Sequence, residues 1–233
     1  MRRFLVEVLR PITFLLSRLL YRIEFEGAGN VPPSGAVILT PNHASYPDPI
    51  WITIPLKRDV RYMAWDAIFR IPVFGPLCRF FGAFPVRIEG HDRVAYREAL
   101  EHLEAGRLLV IFPEGGRTTT GRLLGFKPGA FRLALLTGTP VLPVTIDGAY
   151  EVWPPCRLLP RLRGRIKITF HAPIRVERVP NDLDNVELKR RAREVAGVAR
   201  RTVASALDPA HLPEAYSEHP EDLVGDLRAT RGE

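Results

Sequence analysis

The stretch AVILTPNHASYPDPIWITIPL, residues 36–56, contains the pattern that decides the fold. Residues 36–40 are apolar and rich in β-branched side chains, which predicts a short strand buried on both faces. Residues 48–56 predict a short helix, with Asp48 as its N-cap and Pro49 in its first turn. A buried strand followed by a tight connection and a helix is the unit from which α/β proteins are built.

Strand and helix patterns alternate over the rest of the chain. Predicted strands lie at 60–65, 107–113, 140–147 and 164–174, and predicted helices at 92–106, 127–138 and 188–207. The strand at 164–174 alternates like an edge or half-exposed strand, and residues 74–88 start helical and end extended. This order predicts an α/β fold with a mostly parallel central sheet flanked by helices. We assign it to one domain over residues 25–207, which is long enough to bury a sizeable core.

Residues 1–24 predict a separate amphipathic helical segment. In FLVEVLRPITFLLSRLLY (4–21), Glu7, Arg10 and Arg18 interrupt the apolar run, so the uncharged stretch of about 18 residues that a membrane span needs is missing. On a helix the charges gather on a narrow face and the leucines fill a broad one. That pattern is typical of a helix lying in a membrane interface, and the alternative is a helix packed on the protein's own core.

Charge is distributed unevenly along the 233 residues. The net charge is +7, but residues 208–233 carry −5, so the first 207 residues carry +12. The acidic, polar tail predicts disorder. The basic body indicates an anionic partner, either nucleic acid, an anionic membrane surface, or a phosphorylated or CoA-like ligand.

Cysteine usage excludes two classes of protein. Cys78 and Cys156 are the two cysteines, and they lie far apart in a chain without clustered metal-ligand spacing. We therefore expect neither a disulfide framework nor a structural metal, in keeping with a reducing cytosol.

His43 and Asp48 are the first candidate site residues. They follow a buried strand at its carboxyl end, the edge of an α/β sheet where ligands bind. Pro47 disfavours a helical Tyr46, so the chain turns here, and a turn can fold the carboxylate back beside the imidazole. A carboxylate on one ring nitrogen fixes the tautomer and leaves the other nitrogen as a general base. The alternative is that Asp48 merely caps a helix and His43 is a loop residue.

A second candidate site is VIFPEGGRTTTG, residues 110–121, where a buried strand ends in a glycine-rich loop. Gly115 and Gly116 allow a ligand to approach the backbone, and the fork of Arg117 suits phosphate oxygens. The loop lacks the ending of a Walker A motif. The alternative is a surface turn in which Glu114 and Arg117 form an internal ion pair.

Two further cations are candidates for ligand contact. Arg87 ends the apolar extended run FGAFPVRI (81–88), an awkward place for a charge unless it faces a partner or ligand. Lys127 stands just before a helix that starts with proline. Solvation alone is an alternative explanation for Lys127.

Four of these stretches resemble the motifs of the glycerolipid acyltransferases, the family that includes 1-acyl-sn-glycerol-3-phosphate acyltransferase. NHASYPD is similar to the HxxxxD motif, GAFPVR to the second motif, FPEGGRT to the third and VLPVTIDGAY to the fourth. They occur in the family's order over about residues 36–150. HxxxxD alone is frequent by chance, whereas four motifs in order are specific.

The resemblance implies a role for each matching residue. His43 matches the base that takes the proton from the acceptor hydroxyl, and Asp48 the residue that holds this histidine. The positions implicated in binding the acceptor's glycerol phosphate are matched by Arg87, Glu114 and Arg117, and Gly115 matches the turn glycine of the third motif. Gly116 departs from the family, which usually has threonine or serine there, so one possible hydrogen bond to ligand or loop is missing. Lys127 is a further candidate for holding the phosphate.

The function implied by the resemblance is acyl transfer from acyl-CoA or acyl-carrier protein to lysophosphatidic acid, without a cofactor or metal. It further implies an α/β fold and attachment by N-terminal helices, so we expect a peripheral or monotopic protein on the cytoplasmic face of the cell membrane. Other acceptors stay open: glycerol 3-phosphate, lyso-ornithine lipid and other lysophospholipids.

Two hypotheses of other classes are a non-catalytic peripheral membrane protein and a nucleic-acid-binding protein. The intact His43–Asp48 spacing and Glu114 disfavour the first. The second is disfavoured because KRRAREVAGVARR (189–201) has no interleaved aromatic residues, and we expect no nucleic-acid partner.

Overall fold

The computed structural model describes residues 2–87, 92–180 and 182–213, with side chains described from residue 11 onward. The α-helices within these ranges are α1 (Arg2–Tyr21), α2 (Asp48–Trp51), α3 (Phe74–Phe80), α4 (Arg93–Glu104), α5 (Gly129–Thr137), α6 (Ala149–Val152) and α7 (Asn185–Ala204). The strands are β1 (Glu24–Glu26), β2 (Val37–Pro41), β3 (Val60–Trp65), β4 (Ala83–Val86), β5 (Leu108–Val110), β6 (Val141–Asp147) and β7 (Lys167–Phe170).

In the described part of the chain the strands form one sheet, in the order β1-β7-β6-β2-β5-β3-β4. Neighbouring strands are parallel except β6 and β7, which are antiparallel. The predicted α/β fold with a mostly parallel sheet is confirmed. Of the two alternatives predicted for the strand at 164–174, the half-exposed strand is confirmed, because every second residue of β7 is buried. The edge strand is wrong, because β1 pairs along the outer side of β7 and occupies the edge itself. At three residues, β1 is too short to leave a periodic signal in the sequence.

The sheet is buried between two apolar layers. Neighbouring residues of a strand point to opposite faces, so each central strand contributes side chains to both layers. Leu39 on β2 and Val110 on β5 face the layer that holds α2, α6 and the end of α1. Ile38 and Leu109, one residue away on the same strands, face the layer of α4, α5 and α7. Because both faces are covered, the central strands read as continuous apolar runs, and every residue of β2 is buried.

Helix α2 differs from its prediction in length and capping. It ends at Trp51, and residues 52–55 form turns. Pro55 disfavours a helical residue before it and Ile52 is β-branched, which together favour an early end. The N-cap position is Pro47, with no capping side chain, so the prediction of Asp48 as the N-cap is wrong. The Asp48 carboxylate accepts hydrogen bonds from the preceding loop instead.

Helix α1 presents an apolar surface to solvent. Over the described side chains, Ser17 and Tyr21 are buried against the body, while Ile12, Leu15 and Leu19 are exposed. Phe14 and Tyr21 pack on the core, so the alternative of a helix packed on the protein's own core describes one side of residues 11–21 and not the exposed leucines. Among the described residues, no helix is long and apolar enough to cross a membrane.

The folded body continues past the predicted boundary at Leu207. A 3₁₀ turn at Pro209–His211 places His211 between two carboxylates, with Nδ1 2.7 Å from Asp147 Oδ1 and Nε2 2.7 Å from Glu151 Oε1. The His211 carbonyl also accepts the Leu123 N–H at 2.8 Å. Residues 208–213 are therefore a strap across the ends of β6 and α6, and residues 214–233 of the predicted tail lie outside the described residues.

We expect His211→Gln to lower the free energy of unfolding by about 1–2 kcal/mol at pH 7, and much less above pH 10. Hydrogen bonds that the imidazolium donates to Asp147 and Glu151 raise the pKa of His211 from 6.5 to about 10. The folded state keeps this proton where the unfolded state loses it, so the stabilisation is complete below about pH 6.5 and is lost as the pH rises through about 10. Urea unfolding of both proteins across this range measures the difference. A difference that does not change with pH contradicts the assignment.

Candidate active site

The candidate site lies where β2 and β5 end. The two strands are parallel neighbours, so the loops that follow them leave the sheet at the same edge. Asn42, the first residue after β2, accepts the Ile146 N–H at 2.7 Å and donates to the Ile146 carbonyl at 2.9 Å. This buried side chain fixes the start of the His43 loop against β6.

His43 and Asp48 are in contact, as the turn between them predicted. His43 Nδ1 lies 2.9 Å from Asp48 Oδ2, and Asp48 is fully buried. The same oxygen accepts the backbone N–H groups of Ala44 and Ser45 at 2.8 Å each. Because Oδ2 already accepts these two backbone N–H groups, we assign the donor role in the third contact to Nδ1, which leaves the free lone pair on Nε2.

Glu114 connects the two loops of the site. It is buried, and its Oε1 accepts the His43 backbone N–H at 2.7 Å while its Oε2 accepts the Leu124 N–H at 3.1 Å. The alternative of an ion pair with Arg117 is not what the structure shows. Glu114 was also expected to contact the acceptor's glycerol phosphate, but both of its oxygens bind backbone and its side chain does not line the cleft. Burial raises the pKa of Glu114 to about 7, against the lowering effect of the two N–H donors.

Phe112 supports the imidazole from one side. Its ring stacks on the His43 ring with the centroids 4.0 Å apart and the planes at 27°. The Thr118 N–H donates to the His43 carbonyl at 2.9 Å, so the glycine-rich loop holds the histidine at both main-chain groups. The ring orientation is thus set by Asp48 and Phe112 together.

The glycine-rich loop brings a cation and two backbone donors to the site. The Arg117 guanidinium lies over the Tyr46 ring, 3.7 Å from its centroid, which fixes its plane. The Gly115 N–H is used in a turn to the Phe112 carbonyl at 3.1 Å, which removes it as a donor to ligand. Within the described residues, the N–H groups of Gly116 and Arg117 have no partner.

These groups open onto one large cleft of about 2120 Å³. The candidate residues on its wall are His43, Arg87, Gly115, Gly116, Arg117 and Lys127. Its apolar wall includes Trp65, Ile68, Phe74, Leu77, Phe81 and Val86. Arg87 is largely exposed, and its Nε lies 3.5 Å from an oxygen of Asp92, the residue that caps α4. The structure therefore brings all the predicted site residues to the cleft except Asp48 and Glu114, which lie behind it.

The two glycines should respond differently to substitution. Gly115 has φ +75°, and a Cβ there would lie 2.5 Å from Lys127 Nζ, so Gly115→Ala should cost about 1–2 kcal/mol and displace the lysine. A Cβ at Gly116 meets no atom within 4 Å, so Gly116→Ser should keep wild-type stability. Thermal unfolding and the KM for a phosphorylated acceptor measure both effects. Equal losses in the two variants contradict this account of the loop.

Comparison with known proteins decides the family. Residues 22–147, more than half of the chain, match the family described as Acyltransferase. The chain belongs to the acyltransferase family. This acyltransferase is 32% identical over 157 residues to the chloroplast 1-acyl-sn-glycerol-3-phosphate acyltransferase of Arabidopsis thaliana, a match that covers 66% of this chain and 44% of that relative.

Two further comparisons cover more of the acyltransferase. It is 28% identical over 207 residues to a 1-acyl-sn-glycerol-3-phosphate acyltransferase of Chlamydomonas reinhardtii, covering 87% of this chain and 58% of the relative. The chain thus spans about half the length of these curated relatives. The crystal structure of the 1-acyl-sn-glycerophosphate (LPA) acyltransferase PlsC from Thermotoga maritima matches it with a TM-score of 0.67 at 27% identity, over 88% of this chain and 80% of that chain.

Several residues of the acyltransferase site were missed from sequence. Phe112 and Asn42 are the first residues of FPEGGRT and NHASYPD, but an apolar strand end and a loop amide are not distinctive in sequence. The apolar wall from β3, α3 and β4 also had no signal, because its residues belong to separate segments that only the fold brings together. Sequence spacing does not show that these apolar residues lie close to His43 in the folded protein.

Proposed function

We propose that this acyltransferase moves a fatty acyl chain from acyl-CoA or acyl-carrier protein to the free hydroxyl of lysophosphatidic acid, giving phosphatidic acid. The observation that carries the proposal is the 2.9 Å contact between His43 Nδ1 and buried Asp48, in a ring that faces a cleft with both cationic and apolar walls. The names of the relatives and of the structural neighbour support the same reaction.

His43 is the base of the proposed reaction. Its Nε2 takes the proton of the acceptor hydroxyl, and the oxygen attacks the thioester carbonyl of the donor. The tetrahedral intermediate collapses with cleavage of the carbon–sulfur bond, and the imidazolium returns the proton to the leaving thiolate. Asp48 is a positioning residue, which holds the tautomer and stabilises the imidazolium.

The cleft supplies binding and charge stabilisation. Arg87, Arg117 and Lys127 are the cations available for the acceptor phosphate, which places the hydroxyl near His43. The N–H groups of Gly116 and Arg117 are the candidates for stabilising the oxyanion. The apolar wall formed by β3, α3 and β4 is where an acyl chain loses contact with water.

The proposed location is the cytoplasmic face of the cell membrane, with the enzyme held peripherally or monotopically. Support comes from α1, whose leucines are exposed in the described residues 11–21, and from the net charge of +7. Insoluble acceptors favour an enzyme that works at the bilayer surface.

The test is an acylation assay on purified protein with either donor and four acceptors: lysophosphatidic acid, glycerol 3-phosphate, lyso-ornithine lipid and a lysophospholipid without a phosphomonoester. Lysophosphatidic acid should be acylated fastest. Faster turnover of another acceptor overturns the acceptor assignment, and no acylation from either donor overturns the proposed reaction.

A further inference from the structure

The loop of residues 154–163, PPCRLLPRLR, exposes three leucines. The exposed fractions are 90% for Leu158, 71% for Leu159 and 73% for Leu162. None of the three lines the cleft, so the mechanism does not use them. Three large apolar side chains projecting from one short loop form a patch of the kind that marks a membrane or protein contact.

The charge around these leucines favours an anionic bilayer over another apolar partner. Arg157, Arg161 and Arg163 alternate with the leucines and are exposed, and the sequence has no acidic residue from 152 to 176. Within the described residues these three arginines form no ion pair. Leucines beside unpaired arginines match the two layers of a membrane interface, acyl chains below anionic headgroups.

The loop is joined to the active-site loop by hydrogen bonds. Ser45 Oγ donates to the Trp153 carbonyl at 2.8 Å, and Tyr46 OH donates to the Pro155 carbonyl at 3.3 Å. The rings of Tyr46 and Trp153 also pack together, with the centroids 5.5 Å apart. The Tyr46 ring also makes the cation–π contact with the Arg117 guanidinium.

The residues just after the loop, Arg165 and Ile166, meet the end of α1 and the start of β1. The Ile166 N–H donates to the Tyr21 carbonyl at 3.1 Å, and the Glu24 N–H donates to the Ile166 carbonyl at 2.9 Å. Arg165 lies 3.2 Å from Glu24. The exposed leucines of α1 and of the loop therefore belong to elements that are bonded together at Ile166.

We propose that residues 154–163 are a second membrane-binding element, which inserts Leu158, Leu159 and Leu162 between the headgroups of an anionic bilayer. This proposal rests on the peripheral location proposed above, and it extends the membrane-contacting surface from α1 to the edge of the active site. Because the loop is bonded to Ser45 and Tyr46, its insertion places the mouth of the cleft at the depth of the lipid headgroups. A lipid acceptor then reaches His43 from the bilayer surface.

The binding test compares the wild-type chain with the triple variant Leu158→Ser, Leu159→Ser, Leu162→Ser on vesicles of phosphatidylcholine with phosphatidylglycerol. Val94→Ser is the matched control, since Val94 is 72% exposed on α4 and lies outside the loop and the cleft. We expect the triple variant to bind about tenfold more weakly or worse, with the control unchanged. Equal binding of wild type and triple variant overturns the proposal.

Cys156 offers a direct readout of insertion because it is exposed within the loop. In a Cys78→Ala background, an environment-sensitive fluorophore on Cys156 should shift to shorter wavelength on anionic vesicles and shift less on pure phosphatidylcholine. No shift while the protein is bound overturns insertion. A wild-type dimer that the triple variant converts to a monomer, measured by light scattering, identifies a second copy as the occupant and also overturns it.

Activity separates this proposal from the proposed reaction. The triple variant should acylate a monomeric short-chain lysophosphatidic acid at the wild-type rate and lose rate on acceptor presented in vesicles. If wild type acylates nothing, the reaction proposal fails while vesicle binding is still measurable. If wild type and triple variant act equally on vesicle-borne acceptor, the loop proposal fails alone.

Discussion

His43→Ala should lower kcat by about 10²–10⁴-fold, while the loss of one hydrogen bond to buried Asp48 lowers the free energy of unfolding by only about 1–3 kcal/mol. The imidazole lies on the cleft wall, and its backbone bonds to Glu114 and Thr118 survive the substitution. What is lost is the Nε2 lone pair that takes the acceptor proton. Single-turnover acylation and urea unfolding on the same preparation measure the two quantities.

His102→Ala is the matched control for this prediction. His102 lies on α4, where it contacts Glu98 and Arg107 and not the cleft. Its removal should leave kcat within about threefold of wild type. Near wild-type turnover in His43→Ala removes the base from the proposed mechanism.

Asp48→Asn distinguishes positioning from packing. The amide oxygen can still accept the N–H groups of Ala44 and Ser45, but the negative charge that stabilises the imidazolium is gone. We expect kcat to fall about 10²-fold or more with KM little changed, because the defect is in the transition state. Because Asp48 does not cap α2, the helix should be unaffected.

Glu114→Ala should lower the free energy of unfolding by about 2–4 kcal/mol and abolish most activity. It leaves the partly buried N–H groups of His43 and Leu124 without their acceptor, and it separates the two loops that form the site. Glu114→Gln keeps one oxygen acceptor and should recover part of the stability. Urea unfolding of the three proteins orders them, and an alanine variant as stable as wild type contradicts the bridging role.

The pH dependence of the Glu114 variants gives an independent check. Burial raises the pKa of Glu114 from 4.5 to about 7, so between these values the folded state binds a proton that the unfolded state has lost. This group therefore makes folding less favourable as the pH rises from about 4.5 to about 7. The free energy of unfolding of the wild type should therefore fall relative to that of Glu114→Gln as the pH rises from about 4.5 to about 7. A difference between the two proteins that stays constant over this range contradicts the raised pKa.

The sequence determined the class of fold and the contact between His43 and Asp48. Apolar runs alternating with helical patterns required a mostly parallel sheet, because strands buried on both faces need helices on both sides. The prolines of NHASYPDP required a turn, and the turn brought Asp48 to His43. These features are local, so they can be read from spacing and from the conformational limits of single residues.

Tertiary structure decided the parts that depend on distant segments. Glu114 looked like a ligand residue or a partner of Arg117, yet it binds the backbone of His43 across 71 residues of sequence. Strand β1 joined β7 across 140 residues, and the apolar wall of the cleft came from three separate elements. Such contacts depend on which loops the sheet order places side by side, and no local periodicity encodes that order.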